Sequence, residues 1–98
     1  MSEAIDQLTV NWEEDGELKV KEIKKHVLSK GAWATLMYLY QELDPKTKAY
    51  REPKISIRRY KKSGEQYKYQ SKFNISSAAQ GHEIARMIHE WFPPEPKE

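Results

Sequence analysis

The side chains of this chain that could do chemistry crowd into one short stretch. Residues 51–72 hold Arg51, Lys54, Arg58, Arg59, Lys61, Lys62, Lys68 and Lys72 against only Glu52 and Glu65, a local charge of +6. Phosphates attract Lys and Arg, and unpaired bases stack on flat rings, so cations interleaved with aromatics on an extended surface suit a single-stranded nucleic acid. In KISIRRYKK, strand alternation turns Ile55 and Ile57 one way and Ser56, Arg58, Tyr60 and Lys62 the other. Ser63-Gly64-Glu65 supplies a turn into YKYQSKFNIS, where Tyr67, Tyr69, Phe73 and Ile75 share one face and Lys68, Gln70, Lys72 and Asn74 the other. The hairpin is thus expected to set Arg58, Tyr60, Lys62, Lys68 and Lys72 side by side, opposite an apolar face. Taken alone, the pattern equally fits an exposed hairpin that carries Lys and Arg for solubility.

Other chemistries find no matching residues. His26, His82 and His89 have no cysteine to join them, and His82 and His89 stand on one predicted helix with no third ligand nearby. Four glycines form no phosphate loop, and no nucleophile elbow occurs. Ser76 and Ser77 read as helix caps, and Glu13, Glu14, Asp15 and Glu17 lack the spacing of a calcium loop. The expectation is a binding protein with no catalytic residue, no metal, no cofactor and no small-molecule substrate.

The elements that would position the basic stretch follow from period and turns. A chain of 98 residues, 38% hydrophobic and 33% charged, fits one domain with a thin core. The net charge of +2 conceals −5 over residues 1–19, +3 over 20–50 and −2 over 73–98. Residues 1–17 therefore read as an acidic flexible arm able to compete for the basic face, although Leu8, Val10 and Trp12 would also suit a short added strand turning at Asp15-Gly16. Residues 18–92 form the domain and 93–98 a flexible tail. No apolar run approaches the roughly 20 residues that cross a bilayer, and the start lacks the features of a secretion signal. Together with the absence of cysteine, this implies no membrane and a cytoplasmic location.

Residues 19–28 read as a strand. AWATLMYLY is ambiguous by period, but Asp44-Pro45-Lys46-Thr47 is a type I turn of the kind that joins two strands, so residues 32–43 are assigned as a strand too. A final helix begins at a capping box of Ser77 and Gln80 and stops at Pro93-Pro94. Its apolar stripe of Ile84, Ala85, Ile88, Trp91 and Phe92 lies opposite Glu83, Arg86 and Glu90, where Arg86 can pair with both acids. The fold class is α+β, a four-stranded antiparallel curved sheet followed by one C-terminal helix (ββββα). Ile84, Ile88, Trp91 and Phe92 offer more apolar surface than a small sheet can cover, which predicts a homodimer.

Four strands then a helix, with ISIRRYKKSGE followed by QSKFNIS, resembles the transcriptional coactivator family called positive cofactor four, including its bacterial members. Ile55, Ile57, Arg58 and Tyr60 match its I-x-I-R-x-Y stretch, Gly64 and Glu65 its turn, and Ile75 and Ser76 the segment before its helix. Where that family has Lys-Gly before Ile-Ser, this chain has Lys72-Phe73-Asn74, one residue longer. The resemblance implies a dimer binding single-stranded DNA along its sheets with little sequence preference, in transcription regulation, replication or repair, and at the nucleoid in a bacterium. Position by position, it implies contacts at Arg58, at Lys61 where the family often has an aromatic, and at Lys72. RNA is the alternative polyanion, and a protein-interaction module of the same fold is the alternative function.

Overall fold

The computed structural model describes residues 3–94, so the last four residues of the expected 93–98 tail lie outside the described residues. Turn chemistry sets the order of the elements. A single helical turn, α1 (Glu3–Asp6), leads by an irregular segment to β1 (Trp12–Glu14) and β2 (Glu17–Ser29). Asp15 and Gly16 between them take φ of 54° and 79°, the two positive values that a type I′ hairpin turn requires. β3 (Trp33–Glu42) and β4 (Lys54–Ser63) flank the Asp44 turn, in which the Asp44 carboxylate accepts from the backbone N–H of Lys46 at 2.8 Å and of Thr47 at 3.3 Å. Those two bonds, aided by Arg51 at 3.7 Å, hold the Asp44 carboxyl below its ordinary range. Gly64, at φ 64°, turns β4 into β5 (Gln66–Ile75), and α2 (Ala78–Trp91) follows.

The result is α+β, one antiparallel sheet in the order β1-β2-β3-β4-β5 with a C-terminal helix. The expectation of four strands is corrected to five: the Asp15-Gly16 turn does add β1, which pairs with β2. Within residues 32–43, Trp33–Glu42 are strand, as the turn after them implied.

Which face is buried differs from expectation. The row Ala34, Leu36, Tyr38 and Tyr40 of β3 is buried, and register places Tyr60, Arg58 and Ser56 of β4 directly opposite Ala34, Leu36 and Tyr38. Residues opposite each other in a ladder share a face, so the face read as polar and open is the covered one. Its cover is the N-terminal segment: Ile5 and Val10 are buried in one cluster with Leu36, Tyr38, Tyr40 and Tyr60, and Leu8 packs against it. Residues 5–10 are therefore a packed strap rather than a flexible arm, and residues 12–17 enter the β1–β2 hairpin. The Lys25 ammonium donates to the carbonyls of Ile5, Asp6 and Leu8 at 2.7, 3.2 and 2.6 Å, gathering the end of α1 and the segment after it around one cation. Thr9 donates to Glu22 at 2.6 Å, and the Asn11 side chain accepts from the Glu22 backbone at 2.7 Å, which fastens the strap to β2.

The other face carries Met37, Leu39, Ile55 and Ile57, half-buried, with Phe73 exposed at 54%. Ser77 caps α2 by accepting from the Gln80 backbone at 3.1 Å, while the Gln80 side chain accepts from the Ser76 N–H at 2.9 Å. A Cβ added at Gly81 would meet the Ile75 side chain at 3.4 Å, an ordinary contact, so the helix start has room for a side chain there. Arg86 bridges Glu83 at 2.6 Å and Glu90 at 3.6 Å. No residue of α2 is buried, and Trp91 is 69% exposed, so Ile84, Ile88, Trp91 and Phe92 do not form this chain's own core. No helix among the described residues is long and apolar enough to cross a membrane.

Candidate nucleic-acid interface

Arg58 and Lys72 stand directly opposite each other on β4 and β5, on the strap-covered face. Arg58 donates from Nε to the Ser56 hydroxyl at 3.2 Å, and its guanidinium carbon lies 5.7 Å from the centre of the Tyr69 ring. Ser56 is fully buried, so this bond fixes the stem of Arg58 and leaves its remaining N–H groups for other acceptors. Beside the pair opens a cleft of about 320 Å³, lined by Arg58, Lys72 and Asn74 on one side and by Asn11, Trp12 and Tyr40 among others. Trp12 is 60% exposed, which leaves ring surface free for stacking. Lys62 is on the same face near the hairpin tip, opposite Tyr67.

Tyr60 does not provide the expected stacking platform. It is only 4% exposed, its hydroxyl is 3.1 Å from that of Tyr38, and its ring meets Tyr69 edge-on at 6.2 Å. Burial first, and then the bond to Tyr60, pushes the Tyr38 hydroxyl well above the ordinary tyrosine range. The aromatic that this face does expose is Tyr69, at 52%.

The strap buries Tyr60, and a register shift between Arg59 and Tyr60 brings Tyr69 to the same face. Arg59 pairs with Ser71 but Tyr60 pairs with Tyr69, so Gln70 is an extra residue on β5. Such a bulge inverts parity beyond it. Tyr67 and Tyr69 pass to the face of Tyr60 while Phe73 and Ile75 stay with Ile57 and Ile55, correcting the single row expected of these four. Lys68 moves the other way, to lie opposite Lys61. Lys61 and Lys68 are thus separated from Arg58, Lys62 and Lys72 by the thickness of the sheet. They share the open face with Arg59 and Trp33, whose ring centre is 4.4 Å from the Arg59 guanidinium carbon and 5.4 Å from the Lys61 ammonium.

Sequence reasoning missed Tyr69, Trp12, Trp33 and Arg59. The strand parity of Arg59 and Lys61 was available as a signal for the open face, but no local signal announces the bulge. Of the bases of residues 51–72, Arg51 pairs with Asp44 at 3.7 Å and Lys54 with Glu42 at 3.0 Å. Arg58, Arg59, Lys61, Lys62, Lys68 and Lys72 have no carboxylate within 4.0 Å among the described residues. No three His, Asp or Glu side chains among the described residues converge as a metal ion would need. Compared with known proteins, the chain matches no family model, and no characterised protein and no solved structure is significantly similar to it.

Proposed function

We propose that the domain binds single-stranded nucleic acid, DNA first and RNA as the alternative, with little sequence preference and as a homodimer, in transcription regulation, replication or repair. The observation that carries the reading is the set of cations on the β4–β5 hairpin that have no carboxylate partner among the described residues and stand beside exposed rings: Arg58 over Tyr69, with Lys72 opposite and Trp12 across the cleft. Lys and Arg without protein counterions hold mobile ones, and a polyanion that displaces them gains counterion-release entropy. Rings supply the sequence-tolerant part. Titration of labelled oligo-dT and of a duplex at two salt concentrations tests this. Single strands should be preferred, with a log-log salt slope of about −0.7 per phosphate neutralised. Replacing Arg58 and Lys72 by Ala should weaken and flatten it; wild-type affinity and slope in that variant would refute the site.

The dimer is supported by Ile88, Trp91 and Phe92, which are all exposed on one side of α2 in the single chain. The same stripe favours the second reading, a protein-interaction module. Binding of neither single strand nor duplex, by a chain that still dimerises, would make that reading the better one.

A further inference from the structure

The hairpin carries two like-charged cross-strand pairs, and they point in opposite directions. Arg58 lies opposite Lys72 on the strap-covered face, and Lys61 lies opposite Lys68 on the open face. Like charges set directly opposite each other in a ladder disfavour the sheet, and an anion lodged between them removes the penalty. Both pairs lack a carboxylate partner among the described residues, so nothing described in the chain performs that neutralisation. Each pair also has a ring at hand, Tyr69 for Arg58 and Trp33 for Lys61. The bulge at Gln70 lies between them; were it absent, Lys68 would share the face of Lys62 and Lys61 would lose its cross-strand partner.

Resting on the reading of the domain as a single-strand binder, we propose that one strand engages both faces, crossing the β5 edge at the bulge, with Trp33, Arg59, Lys61 and Lys68 as a second phosphate and base site. β5 is the last strand of the sheet, and among the described residues no further strand pairs with its edge, although α1 and α2 both approach β5. Arg58 and Lys61 are separated by three residues of β4, or about 10 Å along the strand, plus the passage round the edge. A flexible single strand makes that turn. A duplex, with a persistence length of about 150 base pairs, does not, so the arrangement selects single strands by stiffness rather than by base identity.

The experiment is a titration of oligo-dT of increasing length, from about 4 to 16 nucleotides, against wild type, the Arg58→Ala/Lys72→Ala variant and the Lys61→Ala/Lys68→Ala variant. For long oligonucleotides each double variant should weaken binding and reduce the salt slope by about 1.4, twice 0.7. For the shortest, which occupy one face at a time, each double variant should cost less affinity than it does for long strands. Thermal melting of the Lys61/Lys68 variant should be unchanged or higher, because a repulsion has been removed. Long-strand binding unaffected by the Lys61/Lys68 change, or equal losses at every length, would overturn the crossing while leaving a single-strand binder in place. Failure of the wild type to bind any length would overturn the binder itself, and the crossing with it.

Discussion

Tyr38 and Tyr60 form a two-member polar network inside an otherwise apolar cluster, and removing one hydroxyl should cost more than removing both. The two oxygens are 3.1 Å apart, the residues are 1% and 4% exposed, and no buried side-chain polar atom among the described residues lacks a partner. Tyr60→Phe takes away the one hydrogen-bond partner that the Tyr38 hydroxyl has among the described residues and leaves it buried in the cluster. An unsatisfied buried hydroxyl costs about 1 to 3 kcal/mol. For a domain of this length, 1 kcal/mol lowers Tm by roughly 4 to 8 °C. Tyr38→Phe should cost a similar amount, for the mirror reason. In the double variant no buried polar atom is orphaned, and replacing both partners by apolar groups of the same shape is nearly neutral. The cycle should therefore show a coupling of about 1 to 3 kcal/mol, with the double variant more stable than either single one. Urea unfolding followed by circular dichroism, at one fixed protein concentration because dimerisation would shift apparent stability, measures all four corners. Additive losses would refute the reasoning and mean that water reaches one hydroxyl.

The strap should be structural: Ile5→Ala should destabilise by about 2 to 5 kcal/mol, and deletion of residues 1–10 should unfold the domain rather than tighten oligonucleotide binding, as denaturation curves would reveal. Alkaline pH should unfold the protein. Burial raises the hydroxyls of both Tyr38 and Tyr40, so above the ordinary tyrosine value of about 10 the unfolded chain releases protons that the folded chain retains. Stability is then intact below that pH and falls as pH rises through it, which melting curves and ultraviolet titration of phenolate will check. Tyr69→Ala should weaken oligo-dT binding by about 1 to 3 kcal/mol with an unchanged salt slope and an unchanged fold, whereas Tyr60→Ala should damage stability first. Light scattering should give twice 11.6 kDa, and Trp91→Ala should lower dimer content while leaving the sheet's circular dichroism intact; a monomer at micromolar concentration would count against the dimer.

What was legible from residues alone was local: the strand character of 32–43 and 54–63, the Asp44 turn, the Ser77 cap and the Arg86 bridges. Each depends on groups within a few positions of one another, so the chain carries the cause beside the effect. The side of the sheet to be buried is not such a property. β3 is apolar on both faces, with Leu36 and Tyr38 on one and Met37 and Leu39 on the other, and β4 sets Ile55 and Ile57 against Ser56 and Tyr60. Alternation in KISIRRYKK thus named two faces correctly and could not rank them. The ranking came from Ile5, Leu8 and Val10 folding back, fastened by Lys25 some twenty positions away. The bulge at Gln70 is likewise a tertiary decision. One unpaired residue on β5 reverses parity for Lys68 and Tyr69, and since side-chain direction has a period of two, that single step brings the exposed Tyr69 ring to the covered face and takes Lys68 out of the expected row of cations.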